Sequence, residues 1–236
     1  MAKYTATHGD TYTAYGMQFD VPELVSANLR YLLAKGRPYE AEEAEYIQRT
    51  LTPGTNVLEL GGSIGVVSRV IRARIGPDAR HIVVEANPDL APVCRNNAAR
   101  GTAPGVTEVV QGAVAYTDAE TVAFSRGITH HSGHLARAED VDTFDAPALT
   151  LKDLSAKLPD GPWALVCDIE GGEYDMFMKE PAASFSGITH GIIEIHPKEF
   201  ADMGGSESAF LERVTVLGFT VLDRTADVLL LRGPAG

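Results

Sequence analysis

Two short stretches concentrate the side chains able to do chemistry. In Trp163-Ala164-Leu165-Val166-Cys167-Asp168-Ile169-Glu170-Gly171-Gly172-Glu173-Tyr174-Asp175 an apolar run ends in two carboxylates. Asp168 and Glu170 lie two apart, so extended chain would point both to one side of a sheet. A glycine turn follows, and Glu173 and Asp175 fall in the first turn of the next helix, where carboxylates also favour the helix dipole. Such a pair can take a proton, hold a cationic group, or ligate a hard cation such as Mg²⁺. His196 follows the apolar run Ile192-Ile193-Glu194-Ile195 and precedes Pro197. An imidazole near its ordinary pKa takes a proton at neutral pH, and a structural histidine capping the strand is the equal alternative. His130, His131 and His134 sit in one loop, and such a cluster more readily lines a surface or an acceptor pocket than a metal. His8, His81 and His190 have no chemical context in the sequence.

The second stretch is Asn56-Val57-Leu58-Glu59-Leu60-Gly61-Gly62-Ser63-Ile64-Gly65, which reads as strand, acidic residue, glycine turn and helix. Ligands in open α/β sheets bind outside the carboxyl ends of the strands, where glycine lets backbone approach them. Glu85 ends the run His81-Ile82-Val83-Val84, where a carboxylate suits the two hydroxyls of an adenosine ribose. Gly61-Gly62-Ser63-Ile64-Gly65-Val66 fails the G-x-G-x-x-G pattern, and Glu59 would set negative charge beside a pyrophosphate. A donor with a sulfonium, an α-ammonium and no phosphate tolerates that charge, so S-adenosylmethionine is favoured over a dinucleotide. Ala86 and Asn87 turn the chain onward, and Gln111, Gly112 and Ala113 fall where an adenine edge would lie.

Positioning these residues requires alternating strands and helices. The expected strands are 56–60, 81–85, 107–111, 163–169 and 189–195, with helices over 64–75, from Pro88 to Gly101, and over 206–217. Thr121–Ser125 and Val141–Phe144 bracket the histidine loop, and Thr150 with Asp153 resembles a capping box. The chain closes as a hairpin of 219–222 and 228–231. Ahead of this lie a strand or hairpin over 11–19, a helix opening at Pro22 with Leu24, Leu29, Leu32 and Leu33 on one side and Gly36 as its stop, and a second helix over 40–50. The pattern implies one α/β domain over 1–236, with 1–53 as an N-terminal cap and 54–236 as a Rossmann-like core. Its sheet is expected to be mostly parallel and seven-stranded, with a C-terminal antiparallel hairpin.

The bulk properties bound the partners. The chain of 236 residues carries 20 Lys and Arg against 32 Asp and Glu, a net charge of −12, and lacks any basic run. Nucleic-acid binding rests on basic side chains displacing counterions, so no nucleic-acid partner is expected. No 18-residue apolar stretch or export signal is present, and the two cysteines form no spaced framework. A cytoplasmic protein without a membrane partner is the expectation, and the oligomeric state is left open.

The segments Glu59-x-Gly61-x-Ser63-x-Gly65, Val83-Val84-Glu85-Ala86-Asn87-Pro88, Asp168-Ile169-Glu170-Gly171-Gly172-Glu173-Tyr174-Asp175 and Ile193-Glu194-Ile195-His196-Pro197 together resemble the FkbM-type methyltransferase family. The likeness runs from about Tyr39 to His196, with the D-x-E-G-x-E-x-D segment its most specific part. It departs in having Glu59 where the family usually has Asp, and Ser63 where it usually has Asn. The resemblance implies a class I methyltransferase fold and methyl transfer from S-adenosylmethionine to a hydroxyl of a sugar or secondary metabolite. Asp168, Glu170 and His196 are then the catalytic candidates, Asp168 also touching the donor, with a divalent metal such as Mg²⁺ left open. The alternatives are a donor-binding module without catalysis and a dinucleotide-dependent oxidoreductase.

Overall fold

Five short apolar strands lying parallel form the centre of the protein. The computed structural model describes residues 11–23, 25, 27–35, 39–126, 133–137 and 140–236. The chain begins with a hairpin, β1 (Thr11–Ala14) and β2 (Met17–Asp20), then α1 (Ala27–Ala34) and α2 (Ala41–Thr50). Next come β3 (Asn56–Leu60), α3 (Val66–Ile75), β4 (His81–Glu85), α4 (Ala91–Ala98) and β5 (Thr107–Gln111). Four strands follow, β6 (Ala113–Val114), β7 (Thr121–Ser125), β8 (His134–Leu135) and β9 (Thr143–Leu149), then α5 (Leu151–Ser155). The last part holds β10 (Trp163–Cys167), α6 (Gly172–Lys179), β11 (Ile188–Glu194), α7 (Pro197–Asp202), α8 (Glu207–Val216), β12 (Thr220–Thr225) and β13 (Val228–Arg232).

The main sheet is mixed, in the order β12-β13-β11-β10-β3-β4-β5, and β13 runs antiparallel to both of its neighbours. Its central strands alternate between two apolar layers, as a period of two requires. Leu58, Leu60, Leu165 and Cys167 face one core with Phe177, Phe185 and Phe210. Val57, Ala164 and Val166 face the other, against Tyr46 and Ile47 of α2 and Val70 and Ile71 of α3. Burying each such side chain contributes roughly 1.5–3 kcal/mol, which is why short strands suffice. The registers Leu60↔Val84, Cys167↔Leu60 and Cys167↔Ile193 bring the carboxyl ends of β4, β3, β10 and β11 to one level.

The structure also departs from the sequence expectations. A second sheet, in the order β6-β9-β7-β8, was not anticipated, and β9 runs through Pro147 to Leu149 rather than ending at Phe144. β10 stops at Cys167 because Glu170 and Gly171 take left-handed conformations, φ 52° and 100°. Asp168 and Glu170 therefore approach one another through a turn and not as alternate residues of a strand. Leu24, Gly36, His8, His130 and His131 lie outside the described residues. The hairpin and α1 pack on Ile64, Val66 and Leu90, so the N-terminal segment rests against the glycine turn. Asn97 fastens it there. Its Nδ2 donates to the carbonyls of Asp20 and Ile64, and its Oδ1 accepts from the Asp20 N–H.

Candidate active site

The three glycines after β3 are required by close approach. Gly61 has φ 90°, and a Cβ there would lie 1.7 Å from the carbonyl oxygen of Asp168. At Gly62 it would meet Val83 and the Cys94 sulfur at 2.5 and 2.7 Å. Gly65, φ 81°, faces the Cys94 carbonyl at 3.0 Å and is the N-cap of α3. The turn is thus clamped between β10, β4 and α4, leaving its backbone edge toward the cavity. Ser63 sits within it at φ 46°, a strained value for a side-chain-bearing residue, and its Oγ is buried with no partner.

Glu85 closes one side of the cavity. Its Oε2 accepts the Ser63 N–H at 2.6 Å and its Oε1 the Asn87 N–H at 2.7 Å. Burial pushes its pKa up to about 7, against the lowering effect of those two bonds. Two backbone donors orient the carboxylate, and its remaining lone pairs can accept a vicinal diol. Glu59, on the β3 face opposite Leu60, is 1% exposed and is held by Ser68 Oγ at 2.9 Å and His81 Nε2 at 2.8 Å. His81 therefore has a role that the sequence did not disclose, as the buried partner of Glu59.

At the other end of the cavity the mouths of β10 and β11 meet. Glu173 is fully buried, and its Oε2 accepts the Gly171 N–H at 3.0 Å. Its Oε1 is 2.7 Å from His196 Nδ1 and accepts the His196 backbone N–H at 3.0 Å. The imidazole Nε2 then faces Asp168 Oδ1 at 3.6 Å and Glu170 Oε2 at 3.5 Å. Burial opposes a charge on His196, but the hydrogen bond to Glu173 and the charges of Glu173, Asp168 and Glu170 outweigh it and hold the pKa up to about 10. The ring is thus biased toward its protonated form by the carboxylates around it, an influence that the sequence alone did not reveal. Burial and then the charge of Glu194 push Asp168 well up. Burial raises Glu170 to about 7, His196 opposing.

A second acidic group stands beside this one. Glu40 and Glu43 at the start of α2 and Glu194 at the end of β11 bring carboxylate oxygens within 4.8 Å of one another. Burial, reinforced by Glu40, raises Glu43 to about 9. Sequence reasoning missed these three, because i, i+3 glutamates at a helix start read as ordinary dipole partners and the contact with Glu194 is made only in the fold.

Gly61, Gly62, Ser63, Glu85, Ala86, Asn87, Gly112, Ala113, Asp168 and Glu170 all line one cavity with Tyr39, Glu40, Glu43 and Glu59. Gly65 and His196 are not among the residues that line it. Gln111 also stands outside it, its Nε2 donating to the Ala86 carbonyl at 2.8 Å. His134 pairs with Asp140 at 3.2 Å in β8. Asp168, Glu170 and His196 each place one ligand atom within 4.8 Å of the others, and Asp168 Oδ1 is buried without a hydrogen-bond partner. Two oxygens and one nitrogen, one oxygen unpartnered, fit a divalent cation once His196 is neutral.

A mixed sheet with five parallel central strands, a glycine turn opening a helix, and a carboxylate ending the neighbouring strand are features of nucleotide-binding α/β enzymes, and the cavity here is lined by carboxylates. The Methyltransferase FkbM domain matches residues 59–219, and the chain belongs to that family of S-adenosylmethionine-dependent methyltransferases. Comparison with curated proteins finds no match. Among solved structures, a putative rRNA methylase from Clostridium thermocellum is 11% identical over 82% of this chain and 94% of its own, with a TM-score of 0.49. A TehB-like SAM-dependent methyltransferase from Corynebacterium glutamicum is 11% identical over 89% and 95%, at 0.47. The pyocyanin biosynthetic protein PhzM is 13% identical over 89% and 58%, also at 0.47.

Proposed function

We propose that the enzyme methylates a hydroxyl of a small molecule, a sugar or secondary metabolite, with Asp168, Glu170 and His196 at the reacting end. One observation carries this reading. Among the described residues, six carboxylates and no Lys or Arg line the cavity that runs from Glu85 to Glu170. Such a wall attracts a sulfonium and an α-ammonium and repels pyrophosphate. Glu85 holds the donor's ribose hydroxyls, the edge of Gly61–Ser63 carries the methionine portion, and Gly112 and Ala113 leave room for the adenine.

Methyl transfer is an in-line displacement, so alignment supplies much of the rate. The acceptor oxygen forms the new bond to carbon, the sulfur–carbon bond breaks with its electron pair returning to sulfur, and the hydroxyl proton must leave. Because its carboxylate neighbours bias His196 toward the protonated form, Glu170 is the better acceptor for the hydroxyl proton, its pKa near 7 matching the operating range. His196 then holds Asp168 and Glu170 in place and offsets their charge. A small acceptor is supported by the acidity of the chain and by the second sheet, whose Phe124, Gly133 and Leu135 narrow the cavity.

The unpartnered Asp168 oxygen favours a second reading, in which Asp168, Glu170 and His196 would hold a divalent cation such as Mg²⁺, which would supply acidification of the hydroxyl. Turnover of a panel of hydroxylated acceptors, with and without EDTA, tests both. Methylation that survives EDTA supports the carboxylate route, and loss restored by Mg²⁺ supports the metal. An absence of turnover on every hydroxylated acceptor, with donor bound, would count against both.

A further inference from the structure

A second cavity, of about 350 Å³, lies on the far side of α3, lined by Arg69, Arg72, Arg100, Met17, Gly76 and Thr102. In a chain of net charge −12, three guanidinium groups around one cavity stand out as a positive island. Their Nη atoms serve the fold. Arg72 donates to the carbonyls of Ala79 and Gly76, both at 2.6 Å, and of Pro77 at 3.1 Å, covering the negative end of α3. Arg69 donates to the Arg100 carbonyl, and Arg100 to Asp20 at the end of β2. In all three, however, the Nε–H is buried and has no acceptor. Burial, and for Arg69 the charge of Arg100, also lowers the pKa of Arg69 and Arg72, with Asp78 opposing at Arg72. Three positive charges with Asp20 and Asp78 beside them leave the cavity short of both negative charge and acceptor oxygens.

We propose that this cavity binds the phosphate group of a small phosphorylated molecule. A tetrahedral dianion offers several acceptor oxygens to converging guanidinium donors, where a carboxylate offers two. The buried Arg72 forms the floor. Arg69 and Arg100 are only partly buried, so their Nη groups can reach an anion, and a side-chain rotation would bring the now-buried Nε–H onto it as well. The volume exceeds what a phosphate fills, leaving room for the body of the ligand. Because Met17 and Asp20 belong to the hairpin, an occupied cavity would also fasten the N-terminal segment to α3 and α4.

The experiment is a titration, by calorimetry and thermal shift, of the full chain loaded with S-adenosylhomocysteine. Inorganic phosphate and ribose 5-phosphate are compared with sodium chloride at matched ionic strength. Saturable binding is expected, weakened by about tenfold or more in Arg69→Gln/Arg100→Gln, the loss of a charge-assisted hydrogen bond. Unchanged S-adenosylhomocysteine affinity in that variant shows that it is folded, and Arg69→Gln alone serves if the double variant is not. Equal binding of both probes assigns recognition to the phosphate itself, and tighter binding of ribose 5-phosphate assigns part of it to the ligand body. A chloride response as large as the phosphate response, or binding that survives the substitutions, overturns the site.

Discussion

Glu173 Oε1 lies 2.7 Å from His196 Nδ1 and also accepts the His196 backbone N–H, so one buried carboxylate sets the place of the imidazole and engages its Nδ1. With Nδ1 committed to Glu173, Nε2 is the atom left to face Asp168 and Glu170. Glu173→Gln should let the His196 pKa fall from about 10 toward its ordinary range, read by histidine NMR titration. Turnover should fall by about tenfold or more with donor affinity unchanged, the loss of a charge-assisted bond being about 1.5–3 kcal/mol. A pKa that stays high would assign the shift to Asp168 and Glu170 alone.

Glu85→Ala should weaken S-adenosylhomocysteine binding by about 1.5–3 kcal/mol, the range for hydrogen bonds to a charged group. Wild-type affinity in the folded variant would remove Glu85 from the donor site.

The same residue gives a pH dependence. Its folded pKa, about 7, lies above the ordinary carboxylate value, so the ligand-free fold retains a proton that the unfolded chain has lost. Its contribution is therefore full at acid pH and is lost as pH rises through about 7. Donor binding needs the ionised form and should strengthen over that interval. Calorimetry between pH 5.5 and 8.5 should show the rise in wild type and a flat profile in Glu85→Gln; a slope common to both places the titration elsewhere.

Gly61→Ala should destabilise the protein by roughly 3 kcal/mol or more, because its Cβ would overlap the Asp168 carbonyl at a left-handed φ. The loss is one of fold as well as of donor binding, and thermal unfolding reads it directly. A variant that melts with wild type would show that the β3 turn and β10 mouth are further apart than described.

His196→Ala should lower turnover by about tenfold or more, the loss of the charge-assisted contact that holds Asp168 and Glu170 in place, with donor affinity nearly unchanged. Insensitivity to both this change and EDTA would leave alignment alone as the source of the rate.

The strands of the main sheet and the two motif segments were legible in the sequence because their causes are local. The short, mainly apolar cores Val57-Leu58 and Ile82-Val83-Val84 mark β3 and β4, and Glu85 at a strand end needs no distant partner to be noticed. Thr150 caps α5 through the Asp153 N–H, as its spacing from Asp153 indicated. What the sequence could not disclose depends on residues far apart in the chain meeting in space. Glu40 and Glu43 become part of an acidic mouth only because α2 packs against β11, 150 residues later. His196 has an ordinary histidine's chemistry until α6 brings a buried Glu173 beneath it, and charge–charge energies in a buried site are then large enough to fix its proton. Gly61 is legible as a turn, but the reason that nothing else fits is the Asp168 carbonyl just past the end of β10, far along the chain. Local pattern determined the main-sheet strands and the glycine turn; the second sheet and the electrostatics around Asp168, Glu170 and His196 were decided by tertiary contact, because burial and distance, not residue type, set them.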